Sequence, residues 1–258
     1  MKSGSLNWSV FFLLTVGLTL GSSLKAQAES PDTAPRELKN TLTQIDAAAN
    51  SGNIEEVMQF YDTNFRNSDG LTLTSMQEAL TKFWKRYPQL NYRTELQNWE
   101  RDDNGLVAET VTYITGTPTS TTDMKLESVL RSRQHFENQK IVEQEILAER
   151  SQLTTGVNPP TVEVNLPEQV AIGKPYNFDA IVQEPLGDQL LLGAAMEEVV
   201  DIEGYINPTE FELELLPAGG LFKMGEAPLE EEQRWISAIL IRGDGITMIT
   251  QRLQFVKK

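Results

Sequence analysis

Between residues 35 and 150 the spacing of the apolar positions changes once. They first recur every three or four residues, as on one face of a helix, and then alternate, as on one face of a strand. Leu38, Leu42, Ile45 and Ala49 predict a first helix, with Thr33 as its cap and Pro35 in its first turn; Asn50-Ser51-Gly52 stops it. Asn53 predicts the cap of a short second helix carrying Ile54, Val57, Met58 and Tyr61. Thr74 with Gln77 predicts a capping box for a third, whose apolar face is Met76, Leu80, Phe83, Trp84 and Tyr87. Strands are predicted next over 92–99, 106–116, 124–136 and 141–153. Asp102-Asp103-Asn104-Gly105 and Asn138-Gln139-Lys140 mark tight turns between them. Helices segregated from consecutive strands predict an α+β cone, three helices on a curved antiparallel sheet.

Pro159-Pro160 interrupts this pattern, since neither residue can donate to a strand ladder. Beyond it lie short strand candidates at 161–166, 176–183, 189–192, 211–216, 221–224, 234–242 and 246–256. Their length and spacing predict an all-β immunoglobulin-like sandwich, with Trp235 as a core anchor. The expected organisation is therefore a leader over 1–28, an α+β domain over 29–157 and a sandwich domain over 158–258, each domain folding by itself.

The run Gly52-Asn53-Ile54-Glu55-Glu56-Val57-Met58-Gln59-Phe60-Tyr61-Asp62 and the late hairpin into Lys140-Ile141-Val142-Glu143 carry a resemblance. Over roughly residues 35–153 the chain resembles the nuclear-transport-factor-2-like superfamily, which includes ketosteroid isomerase and the SnoaL-like proteins. The resemblance implies a conical fold, a homodimer through the N-terminal sheet, and a hollow that serves enzymes and non-enzymes alike. The runs EPLGDQLLLGAAMEE, LPAGGLFK and RWISAILIRGDG, joined to such a domain, resemble a group of exported cyanobacterial proteins. That likeness implies periplasm or thylakoid lumen and brings no activity with it.

Export is also read from the residues. Met1-Lys2 is a positive start, residues 8–20 are apolar, and Ala26-Gln27-Ala28 is a small-x-small cleavage site, the layout of a secretory signal peptide. The apolar run is shorter than a comfortable membrane span, so no stable membrane anchor is expected after cleavage. Without any cysteine, an exported chain has no disulfides and depends on core burial. With a single histidine as well, most zinc, copper and haem schemes fall away, and neither a metal nor a cofactor is expected. The net charge of −15 becomes more negative once Lys2 and Lys25 are removed, which argues against nucleic acid as a partner.

Candidate chemistry is sparse. His135 shares strand parity with Lys125, Glu127, Arg131 and Arg133, which predicts an outward imidazole. Tyr61 and Asp62 are the acid/base candidates, because an isomerase of the ketosteroid type needs a carboxylate base beside hydroxyl donors. Further inward carboxylates are missing, so catalysis is not the favoured reading. The opposite parity of the same strand is Leu126, Ser128, Leu130, Ser132, Gln134 and Phe136, an apolar row interrupted by small polar groups. Buried hydroxyls and amides need partners, and a ligand can supply them. Trp84 and Tyr113, with Phe83 and Trp99, would add aromatic surface. The expected function is an exported, non-catalytic protein that binds a small, mostly apolar ligand or a partner chain through Trp84, Tyr113, Ser128, Ser132 and Gln134, with the sandwich mediating interaction. The alternative is a small-molecule isomerase, dehydratase or hydrolase. Intact-mass measurement of the exported protein is expected to show a chain starting at Glu29; a full-length chain held in membranes would refute the leader assignment.

Overall fold

In the computed structural model, the described residues are 28–257 apart from 88, 118–123, 188, 208 and 217–218; the leader reading at 1–27 lies outside them. A 3-10 turn at Pro31–Thr33 leads into α1 (Arg36–Asn50) and α2 (Ile54–Met58). Then come β1 (Tyr61–Asn67), α3 (Leu73–Arg86), β2 (Leu90–Arg101), β3 (Leu106–Gly116), β4 (Lys125–Glu137) and β5 (Lys140–Gly156). The remainder is β6 (Val162–Asn165), β7 (Gln169–Ala171), β8 (Pro175–Val182), β9 (Leu192–Val199), α4 (Ile202–Ile206), β10 (Glu214–Leu215), β11 (Gly220–Glu226), β12 (Glu232–Arg242) and β13 (Gly245–Val256).

These strands do not divide at the double proline. They form one ten-stranded sheet ordered β10-β9-β12-β13-β5-β4-β3-β2, with β1 also on β5 and β7 on β13. Only β11-β8-β6 make a second, three-stranded sheet. The expected cone followed by an immunoglobulin-like sandwich is thereby corrected: the protein is mostly β, with a single large, mainly antiparallel sheet and four short-to-medium α-helices among the described residues. Alternation of apolar residues encodes which face a strand buries, not which strand it pairs with. Smaller corrections accompany this one. Pro35 is itself the cap residue of α1. Thr72 and Ser75 form the capping box of α3, two residues earlier than predicted. Tyr61 opens β1 instead of closing α2. The 157–160 segment is tied down on the β12–β13 turn: Val157 and Asn158 donate their backbone N–H groups to Asp244 O at 2.9 and 3.1 Å, and Thr247 Oγ1 donates to Pro160 O at 2.6 Å.

The sheet has two different faces. In the C-terminal half one face packs on β6-β8-β11, burying Tyr176, Phe178, Leu221, Ile236, Leu240, Ile249, Leu253 and Phe255. On the other face, in the N-terminal half, α1 and α3 cover Tyr61, Phe65, Trp99, Phe136 and Ile141. The outer edge of β2 is closed by side chains of α1. Asn50 Oδ1 accepts from Tyr92 N at 2.6 Å and Asp46 Oδ2 from Thr94 N at 2.7 Å, while Glu29 bridges Trp99. An edge so capped cannot recruit another strand there.

β5 is the shared element. Along one edge it pairs with β4 throughout. Along the other it pairs with β1 through Ile141–Gln144 and with β13 through Arg150–Gly156. The intervening backbone would be left without ladder partners, and side chains supply them: Ser68 Oγ accepts from Ile146 N at 3.3 Å, and Gln254 Nε2 donates to Leu147 O at 3.1 Å. Arg252, from β13, sits at this junction. Its side chain is 0 % exposed and meets Asp69 with two bonds of 2.9 Å, Glu149 Oε2 at 3.0 Å, Gln233 Oε1 at 2.7 Å and the Tyr205 hydroxyl at 2.9 Å. Breaking a buried pair by removing one partner costs far more than replacing both, because a charge is left unmatched. Asp69→Ala in the full chain is expected to lower unfolding stability by about 3–5 kcal/mol in chemical denaturation; a loss under about 1 kcal/mol, the ceiling for most exposed pairs, would show that the junction does not depend on this pair.

Candidate functional site

The uncovered middle of the sheet's helix-bearing face is the floor of a cavity of about 1180 Å³. Leu42, Ile45 and Ala49 of α1 and Met76, Leu80, Phe83 and Trp84 of α3 wall one side. Tyr205 and Ile206 of α4 with Phe211 wall the other. Gly204 lets α4 lie against β12, because a Cβ there would come within 2.6 Å of the Trp235 ring. Tyr205 and Trp235 meet edge-on, their ring centroids 4.8 Å apart. The site thus needs both halves of the chain.

Strand register organises the floor into transverse rows. Tyr92, Ile114, Ser128, Ser151, Thr250, Ser237 and Met196 are consecutive cross-strand partners from β2 to β9, and all seven line the cavity. Two hydroxyl pairs within the row bond to one another at 2.8 Å, Ser128 with Ser151 and Ser237 with Thr250. A hydroxyl both donates and accepts, so each pair keeps unused capacity toward the cavity. A second row holds Asn67, Gln144 and Gln134, in register across β1, β5 and β4, all three buried and all facing the cavity. Gln134 Oε1 is buried without a hydrogen-bond partner. A third row carries Thr94, Thr112, Leu130 and Glu149, with Trp235 and Glu198 beyond.

The residues singled out from the sequence separate as follows. Ser128 and Gln134 lie on the floor, and Trp84 lines the wall, donating Nε1 to the Tyr92 hydroxyl at 2.7 Å. Ser132 is on the same face but sealed, bonded to Thr110 at 3.1 Å. Tyr113 is not brought to the cavity. It pairs with Val129 on the opposite face and lies under the Arg93 guanidinium, 4.2 Å from the ring centre. Trp99 is buried under the N-terminal turn, its Nε1 donating to Thr33 Oγ1 at 3.1 Å. Tyr61 lines the cavity with its ring edge-on to Phe65. Asp62 does not: its Oδ1 accepts from Asn64 N at 2.8 Å within the irregular opening of β1. His135 lies away from the cavity, Nε2 3.0 Å from Asp102 Oδ2 at the β2–β3 turn.

Sequence reasoning missed Asn67, Gln144, Glu149, Ser151, Tyr205, Ser237 and Thr250. Irregularities in β5 at 142 and 147 explain part of this. Inward residues are Ile141, then Gln144 and Ile146, then Glu149 and Ser151, so a straight reading of alternation fails twice. The hydroxyls on β12 and β13 were visible in the sequence, but their register with β5 was not.

Burial sets the electrostatics. It pushes the Tyr61 hydroxyl up to about 12, and pushes Tyr92 to about 12 against the opposing bond from Trp84. Burial, then Glu149, push Tyr205 well above the ordinary phenol range, so its proton stays on the bond of 2.6 Å to Asp69. These phenols are neutral hydrogen-bonding groups at ordinary pH, not bases. Among the described residues no group of carboxylate, histidine or cysteine side chains is arranged to hold a metal ion.

Residues 157–256 match a family model described as a domain of unknown function, DUF8623. No curated protein matches the chain. Among solved structures the chain is similar to one described as "Structure of Bdellovibrio bacteriovorus Bd1075", at 16 % identity and a TM-score of 0.34; the likeness covers 43 % of this chain and 39 % of that one.

A phenol whose folded pKa is raised stabilises the fold below its unfolded value near 10, and that stability is lost as pH rises through about 12. Ultraviolet titration of the folded protein is expected to show Tyr61 and Tyr92 ionising near 12, returning to about 10 in denaturant. Tyr61→Phe is expected to lower the amplitude of the late-titrating step by one phenol and leave that of Tyr92; an unchanged amplitude in that variant would contradict the burial.

Proposed function

We propose that this is an exported, non-catalytic binding protein whose cavity takes a small, mostly apolar molecule. The observation that carries this reading is the row from Tyr92 to Met196. Seven strands drawn from both halves contribute to this row, and five of its residues, Tyr92, Ser128, Ser151, Thr250 and Ser237, set polar groups in register on the floor of one cavity, between apolar and aromatic walls. A few fixed polar groups within apolar surface are what orients a ligand of that kind. The partial satisfaction of the floor supports it further, since buried polar groups are rarely left without partners. Support for the absence of catalysis is that Asp62 lies outside the cavity lining, its Oδ1 bonded to Asn64 N, and that Glu149 is held by Arg252 and by Trp235 Nε1 at 3.0 Å. Support for export is the leader pattern at the start of the sequence.

The test is a comparison of two variants by native mass spectrometry of protein purified from its own host. Gln134→Leu removes the amide with the unpartnered oxygen at similar volume and is expected to weaken retention of the co-purifying molecule by about three- to tenfold with little loss of stability, since no protein partner is stranded. Asp62→Asn is expected to leave retention unchanged. An enzyme using Asp62 as its base predicts the reverse, with turnover falling about 10²–10⁴-fold in Asp62→Asn, and that outcome would sink the binding reading.

A further inference from the structure

The charges around the cavity are unevenly placed. Arg252 is the cation nearest the floor, but it is sealed beneath it: its side chain is 0 % exposed and bonded to Asp69, Glu149, Gln233 and Tyr205. Two carboxylates therefore face one guanidinium. Glu149 Oε2 takes the bonds from Arg252 and Trp235, and the remainder of this carboxylate lines the cavity. Glu198, opposite Trp235 in the sheet, lines it as well and has no ion-pair partner among the described residues. The remaining cations of the lining, Lys82, Lys85 and Arg86, are exposed along the last turns of α3 at the mouth. At the deep end the unpartnered group is an acceptor, Gln134 Oε1, on a side chain that is 8 % exposed.

We infer that the ligand is an apolar molecule headed by a hydrogen-bond donor without negative charge, an alcohol or an amine, and that the cavity excludes carboxylates and phosphates. The inference rests on the cavity being a binding site and adds the chemistry of the ligand's head. Gln134 Oε1 is closed off from the cavity, so a ligand head meets it only once the amide turns toward the space; an acceptor without a partner is then satisfied by a donor, and a hydroxyl or N–H supplies one. A carboxylate would bring a lone pair to that acceptor. It would also carry a negative charge past Glu149 and Glu198 with no accessible interior cation to match it, and unpaired charge is costly to remove from water. An alcohol avoids the charge, and an amine turns the same two carboxylates to advantage.

The test uses the mature full chain at neutral pH with three probes sharing one alkyl tail: dodecanol, dodecylamine and dodecanoate, each competing with an apolar fluorophore bound in the cavity. Dodecanol and dodecylamine are expected to displace it at concentrations about tenfold or more below dodecanoate, a difference of about 1.4 kcal/mol or more. Gln134→Leu is expected to weaken dodecanol by about three- to tenfold, the worth of one hydrogen bond. Glu198→Gln is expected to weaken dodecylamine alone. Dodecanoate binding as tightly as dodecanol, or folded Gln134→Leu binding dodecanol undiminished, overturns the assignment of the head while leaving the cavity a binding site. Failure of the fluorophore and all three probes to bind overturns the binding reading itself.

Discussion

The pairing of β5 with β13 sets the two halves of this protein on one sheet, and the buried contact between Arg252 and Asp69 closes the gap that this pairing leaves. β5 needs two different partners along a single edge, β1 early and β13 late, and a ladder cannot switch partners without a gap. The gap is filled by polar side chains instead of backbone. Ser68 and Gln254 satisfy β5 directly, and the guanidinium of Arg252 ties the turn after β1 to β13 and to Glu149 of β5 itself. Each component is intelligible only with the others present: the cation is fully buried, its acids need it, and Tyr205 and Trp235 complete the bonding. A cluster of this kind contributes modestly compared with an apolar substitute, yet it tolerates no partial loss.

The cavity follows from this arrangement. Because β13 continues the sheet past β5, the floor extends beyond what the first four long strands could provide, and α4 arrives as a second wall opposite α3. Glu149 and Trp235 belong to the junction cluster and to the cavity lining at once. The same side chains therefore serve the junction and line the cavity, and polar residues sit in register there instead of the apolar ones a filled core would use.

Much of the local structure was legible in the sequence. The helical periodicity of α1 and α3 and the cap at Asn53 come from short-range rules, as does the Asn138-Gln139 turn with both φ positive; the 102–105 turn is held instead by Asp102 Oδ1, which accepts from Asn104 N and Gly105 N. The inward parity of Ser128, Ser132 and Gln134 on β4 was also readable, because that strand alternates regularly along its length. What was not readable is non-local. Proline at 159 and 160 signals the end of β5 equally well for a linker and for a corner, and only pairing with β13 shows which it is. The short β1, Tyr61–Asn67, was hidden by a helical spacing that continues from α2, and its parallel partner lies far along the chain. Tyr113 was read as cavity-lining from its aromatic character alone; its neighbours Thr112 and Ile114 take that face instead.

Chain order gives the shared strand a kinetic meaning. β13, thirteenth of the thirteen strands described, is threaded into the interior of the sheet between β5 and β12, and Arg252 reaches Asp69 across 183 positions of sequence. The early helices and the β2–β5 meander can assemble from near neighbours, but one flank of β5 then stays open until the late residues are available. Closure of so long a loop is slow, because its entropy is spent before the contacts that reward it form. During that interval residues 150–156 present unpaired backbone, a surface to which another unfinished copy could add a strand. Holding the chain extended until its C-terminal strand has emerged, as passage through a narrow pore would do, removes that hazard by letting β13 and β5 meet at the same time.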